Sequence, residues 1–454
     1  MLEKTRKILN QETQVELTEG KIGKPLFLLS LPVVITNLLQ TAYNLIDTFW
    51  LGMVSTEALA AVSFAFPIVF LLVSLGIGLS IAGSIMVAQR EGAANHREAE
   101  KAASQTITYI SIFSIVMGVI GYFSAEFVVT LLGAEPEVIP MATGYLEIVS
   151  LGMIMTFGYS VFSSLLRGYG DTITPMLIMA GSVLLNLILD PLLIFGWSIF
   201  PELGVEGAAI ATVISRGAGF ILGLYILFTG IKGLKIRPKH MIPDLGYFRD
   251  TLRLGLPASI ELVSRSLSVN VVLYFIGFFA TPMVAAYGVV VRIYSAVYLP
   301  GIAVSRSVET MTGQNIGAGK PERAAKANDL AARYMFAILT AFGIFCILLS
   351  TQILGLFSDD PEVIEVGSQF LKILGASFGF IGITRSYTGG LRGAGKTTAA
   401  AIITIISLWL VRIPFAYLSI NPLGETGIWW AFAISNFVGA LLAYAWFKTG
   451  RWKT

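Results

Sequence analysis

Apolar runs of roughly 20–28 residues recur along the whole chain, and each is long enough, as a helix, to cross about 30 Å of hydrocarbon. Twelve are expected, near residues 25–51, 58–88, 103–124, 139–166, 174–198, 204–230, 250–278, 283–312, 327–350, 363–389, 398–420 and 425–448. The composition agrees. Of 454 residues, 55% are hydrophobic and 13% charged, where an ordinary soluble protein carries about 25% charged residues. The expected fold is therefore an all-α polytopic membrane protein. The first 21 residues, MLEKTRKILNQETQVELTEGK, lack the apolar core of a cleaved signal peptide. The first apolar run is thus read as a retained membrane helix.

The polar connections sort by charge. One set is basic: Arg90, Arg97 and Lys101; Arg167; Lys232, Lys235, Arg237 and Lys239; Lys320, Arg323 and Lys326; Arg392 and Lys396; and Lys448, Arg451 and Lys453. The other set holds acids without lysine or arginine: Glu57; Glu135 and Glu137; Glu202 and Glu206; Asp359, Asp360 and Glu362; Glu425. The sets alternate, so the positive-inside rule places both termini in the cytoplasm of a multi-pass cell-membrane protein. The net charge of +3 gives nucleic-acid binding no support. Cys346 is the single cysteine, so no internal disulfide forms. His96 and His240 lie in polar connections, which argues against a histidine metal site.

The chain repeats itself at an offset of about 225 residues. LLGAEPEVI at 131–139 returns as LFSDDPEVI at 356–364, and QREGAANHREAEKA at 89–102 returns as QNIGAGKPERAAKA at 314–327. SLPVVI at 30–35 returns as GLPASI at 255–260. Six helices per half is an even number, so the two six-helix bundles enter from the same side as parallel repeats. The expected divisions are a cytoplasmic segment 1–24, a first lobe 25–230, a linker 231–249, a second lobe 250–448 and a tail 449–454.

GLRGAGKT at 390–397 matches the phosphate-cradling pattern G-x-x-x-x-G-K-[ST]. A true phosphate loop follows a β-strand, whereas this one follows a hydrophobic span. Its twin in the first half is LLRGYGDT at 165–172, with Asp171 in place of Lys396. The shared task is then a tight turn, with Gly168, Gly170, Gly393 and Gly395 supplying backbone freedom and Arg167 and Arg392 anchoring at the interface. No ATP is expected to bind, and no cofactor is needed. Uphill transport would draw on an ion gradient.

Ionisable groups within membrane helices are functional candidates by default. Asp47 has Tyr43 four residues earlier on its helix face, and Asp190 has Asn186. Both aspartates fall in the outer part of outward-running helices, with Thr212, Tyr145 and Glu147 at similar depth. Oxygen ligands of this kind suit H⁺ or Na⁺, and pairing with a backbone donor or Arg216 is the structural alternative. By the repeat offset, Asp47 maps to Val272 and Asp190 to Phe415. The second half instead carries Glu261, Arg265, Arg292, Arg306, Arg385 and Arg412. Arg306 and Arg385 are expected to snorkel to the interface. Glu261, Arg265, Arg292 and Arg412 are either internally paired or, with Glu147, line a substrate cavity whose arginines attract anionic groups.

These residues together resemble the MATE (multidrug and toxic compound extrusion) family over essentially the whole chain. The resemblance is carried by YNLIDTFWLG, LRGYGDT, LNLILDP and GAAIAT, and it is nearest the DinF-like prokaryotic and archaeal branch. It implies a V-shaped pair of bundles and secondary export of amphipathic, often cationic, organic compounds in exchange for H⁺ or Na⁺ by alternating access, with no enzymatic step. Carried over to this chain, the coupling site is Asp47, Asn186, Asp190 and Thr212, supported by Tyr43 and Tyr145. Pro32 matches the proline at which the first helix bends. The NorM-like branch has an acid where this chain has Arg265, which sets aside a second-lobe cation site of that kind. A monomer in the bilayer is expected. The alternative reading is a flippase for lipid-linked saccharides or other anionic lipids of the same superfamily.

Overall fold

A computed structural model describes residues 14–197 and 199–453. Most of the expected N-terminal segment 1–24 and the last residue of the tail lie outside the described residues. The described chain is helical without strands. Among the described residues ten helices are long and apolar enough to cross a membrane, and two further pairs of bent helices bring the number of spans to as many as twelve. In the first half the spans are Gly23–Gly52, Thr56–Gly92, His96–Leu131, the pair Ile139–Leu151 and Met153–Tyr169, Ile173–Ile194 and Gly204–Thr229. In the second half they are Leu245–Ile276, Thr281–Gly317, Pro321–Leu348, the pair Pro361–Gly375 and Phe378–Gly393, Thr397–Leu423 and Glu425–Lys448.

The fourth and tenth spans are not the straight helices that uninterrupted apolar runs imply. They bend by 50° and 46°, at Gly152 and at Ala376–Ser377, which are equivalent positions of the two halves. At the first bend a Cβ on Gly152 would overlap the Val213 side chain, so glycine allows the sixth span to press close. The eleventh span carries a π-helical turn at Ile406–Arg412. Such a turn accommodates an extra residue within a helix and is frequent at functional positions.

The duplication extends to single hydrogen bonds. Gly170 and Gly395 both have positive φ, +105° and +77°. The amides of Asp171 and Lys396 donate to the carbonyls of Leu166 and Leu391, at 2.9 and 2.8 Å. Gly168 lies against the backbone of Ser84, and Gly393 against that of Glu309, the matching residue of the second half. In GLRGAGKT the amides of Ala394, Gly395 and Lys396 are all spent on carbonyls of the preceding helix. None points outward to cradle a phosphate, so the stretch is a turn. Asp171 accepts from the amides of Ile173 and Thr174 and so caps the helix that follows, a task that Lys396 has no acceptor to perform. Two outcomes follow. Gly393→Ala should cost about 1–3 kcal/mol, as overpacking against backbone does, read as a lowered melting temperature. Lys396→Ala should leave transport unchanged.

Contacts divide the chain into two compact units. The first comprises 1–16 and Leu31–Ser259, the second Leu17–Ser30 and Ile260–Thr454. The first and seventh spans each change unit close to a proline, Pro32 and Pro257. The connection 231–249 belongs to the first unit. Gln105 donates to the carbonyls of His240 and Ile242 and accepts from the amide of Asp244. Lys101 pairs with Asp244 at 3.1 Å, which holds that carboxyl below the usual range. In the second unit residues 17–20 are clasped by Arg323, whose guanidinium reaches three backbone carbonyls. The core of the first unit is built around Phe157, Phe162 and Met153. That of the second is built around Phe370 stacked on Trp429 with ring centroids 3.9 Å apart.

Candidate functional site

In the first unit one face of the first helix carries Gln40, Tyr43, Asn44 and Asp47, the spacing of helical neighbours. Asp47 accepts a hydrogen bond from the Thr212 hydroxyl at 3.3 Å. Tyr43 is buried, and its hydroxyl points to the Thr212 carbonyl at 3.4 Å. Asn186 and Asp190 are both fully buried on the fifth span, and the Asn186 amide donates to Asp190 Oδ1 at 2.8 Å. The Asp47 carboxyl faces this pair, so three spans converge on one cluster. Tyr145, from the first arm of the bent fourth span, lies within electrostatic reach of both aspartates.

The cluster is unbalanced in one respect. Asp47 Oδ1, Asn186 Oδ1 and Asp190 Oδ2 are buried and have no hydrogen-bond partner among the described residues. All three are acceptors, and a buried acceptor without a donor is costly. Arg216 is not the missing partner. Its guanidinium donates to Gln40 Oε1 at 2.8 Å and lies over the Tyr43 and Tyr159 rings, 4.6 and 5.5 Å from their centroids. The sequence named Arg216 as a structural partner for the acids. Its actual anchor, Gln40, carried no signal, because a glutamine on a helix face reads as an ordinary polar residue.

Two other candidates stand apart from the cluster. Pro32 lies about 22 Å from Asp47 along the helix axis, and its carbonyl accepts from Thr36 at 2.8 Å. Glu147 is half-buried and makes no hydrogen bond or ion pair with a described residue.

The second unit holds a different arrangement. Arg392 is buried and makes ion pairs of 3.0 Å with both Glu261 and Glu309. Arg392 therefore does not anchor at the membrane interface as the sequence reading had it. Carboxylates drawn in from two other helices neutralise it. Glu309 was not singled out from sequence, since its partner is 83 residues away. Arg265 sits 3.5 Å from Glu261 and donates to the Tyr298 hydroxyl at 3.0 Å. Arg412, at the end of the π turn, is buried against Phe432 and donates to Ser435 and Asn436. Arg385 does not snorkel either. It is buried, with its guanidinium 4.6 Å from the centre of the Tyr298 ring. Arg292 is exposed and joins none of these contacts.

The comparisons with known proteins fit this architecture. A family model described as MatE matches the chain twice, at residues 32–192 and 257–418, one match per repeat. The probable multidrug resistance protein YpnP of Bacillus subtilis is 29% identical, over 96% of this chain and 97% of that one. A protein of Shewanella oneidensis named as an FAD transporter is 29% identical over 94% of this chain and 95% of its own length. Among solved structures, a MOP superfamily transporter from Pyrococcus furiosus, described as having a binding pocket of reverse polarity, superposes with a TM-score of 0.87. It is 26% identical over 95% of this chain and 96% of that chain. With the family matched in both halves, relatives aligned end to end and the same membrane fold, the chain belongs to the MatE, or MATE, family of multi-pass membrane transporters.

Proposed function

We propose that the protein is a secondary active exporter of amphipathic organic compounds, an antiporter driven by H⁺ or Na⁺ through Asp47, Asn186, Asp190 and Thr212. The observation that carries this reading is the trio of unpartnered buried oxygens on Asp47, Asn186 and Asp190. A proton on one aspartate supplies the absent donor, and a sodium ion supplies a positive charge to oxygens that only accept. The relatives named as multidrug resistance proteins support the class of cargo. The mechanism is alternating access, in which loading the cluster with the ion changes the first helix about Pro32. Its site of action is the cell membrane, with both termini in the cytoplasm and the chain acting as a monomer without ATP. The test is substrate flux in proteoliposomes under separately imposed pH and Na⁺ gradients. Flux driven by neither gradient would overturn the proposal.

A second reading has its own support in the arginines of the second unit. An anionic cargo, such as a phosphate-bearing lipid or cofactor, suits Arg265, Arg385 and Arg412 better than a cation does. The FAD transporter among the relatives, whose named cargo carries phosphates, points the same way. Translocation of a labelled lipid pyrophosphate, lost in Arg265→Ala, would favour this cargo class. Export of cationic dyes alone would exclude it.

A further inference from the structure

Four guanidinium groups, Arg265, Arg385, Arg392 and Arg412, lie together within the second unit, and the carboxylates paired with them are Glu261 and Glu309. Two positive charges are left over. Arg392 takes both acids at 3.0 Å, so the surplus falls on the other three arginines. These three border a small space of about 30 Å³, together with Tyr298, Ser435 and Asn436, and no carboxylate of a described residue lines it. Arg265 Nε is buried without a hydrogen-bond partner. Arg385 is 6% exposed, yet its guanidinium donates no hydrogen bond to a described residue. The Tyr298 hydroxyl accepts from Arg265 at 3.0 Å and shares a hydrogen bond with the Tyr294 hydroxyl at 3.3 Å.

A desolvated cation without a counter-charge costs several kcal/mol. Here three guanidinium groups line one space whose described walls supply no carboxylate. Its size narrows the ligand. A water-sized group needs roughly 10–15 Å³ by the same measure, so the space takes one monatomic ion. We propose that the second unit binds a halide-sized inorganic anion, chloride, held by Arg265, Arg385 and Arg412 with the Tyr298 hydroxyl as a neutral donor. The site is separate from the aspartate cluster of the first unit, and its failure would leave the coupling proposal untouched.

The experiment uses the purified full chain in detergent, with radioactive chloride as the probe, at fixed Na⁺ and pH. Saturable binding is expected, displaced by bromide and unaffected by gluconate, which is too large for the space. Arg385→Gln should weaken it by about tenfold or more, the loss of a charge-assisted contact. Arg333→Gln, an exposed charge outside the site, should not. Absence of saturable binding to the parent chain, or equal binding in Arg385→Gln, would overturn the proposal. Should Arg385→Gln fail to fold, Tyr298→Phe decides. Weaker chloride binding supports the site. Tighter binding would mean that a Tyr298 phenolate had been supplying the counter-charge, and would also overturn it.

Discussion

Asp47→Asn is expected to reduce gradient-driven export to background while the amount of folded protein in the membrane stays unchanged. The substitution preserves shape and the contact with Thr212, but it removes the charge that a proton or Na⁺ would neutralise. In the parent chain Asp47 Oδ1, Asn186 Oδ1 and Asp190 Oδ2 have no donor, so the ion-free cluster is strained by its own negative charge. An amide at position 47 relieves that strain permanently and uncouples it from the gradient. Activity and stability should therefore separate. Flux should fall at least about tenfold, the equivalent of roughly 1.4 kcal/mol or more of lost coupling, and the melting temperature should hold or rise, because replacing a buried unpaired charge is seldom destabilising. Proteoliposome flux under each gradient, beside a thermal melt, measures both. Retained flux in Asp47→Asn under both gradients would remove the cluster from the mechanism. Asp190→Asn should behave alike, since Asn186 anchors only one of its two oxygens.

The largest stability effect is expected at Arg392. Its Nε and Nη1 reach Glu309 and Glu261, and its Nη2 donates to Ser305 at 2.8 Å. Arg392→Met keeps much of the volume but takes away the guanidinium that pairs at 3.0 Å with two buried carboxylates, Glu261 and Glu309. Removing one partner of a buried pair costs about 3–5 kcal/mol, which at about 2–4 °C per kcal/mol in a domain of this size lowers the melting temperature by about 10 °C. Adding Glu309→Gln should recover part of the loss, because it removes a carboxylate charge that had faced Arg392, while Glu261 keeps Arg265 at 3.5 Å. A melting curve for Arg392→Met that overlays the parent would show that the triad is solvated and of little consequence.

These two sites were legible from sequence to different degrees. The acids of the first unit announce themselves, because an aspartate in an apolar run is expensive wherever it lies and the i, i+4 spacing places Tyr43 with Asp47 and Asn186 with Asp190 on common faces. The Arg392 triad was hidden. An arginine beside a glycine-rich turn reads as an interfacial anchor, and nothing local says that Glu261 and Glu309 are folded onto it across 131 and 83 positions.

The bends at Gly152 and Ala376–Ser377 and the π turn before Arg412 were hidden for a related reason: hydropathy averages over helical turns and does not register a change of axis. What the residues alone determined was the set of membrane-crossing segments, their duplication and the candidate coupling groups. Each of these depends on transfer free energy or on periodicity along one helix. Only the tertiary structure decided which charges neutralise one another and which oxygens are left without a donor. That outcome depends on distances between helices, and the identity of a residue does not encode them.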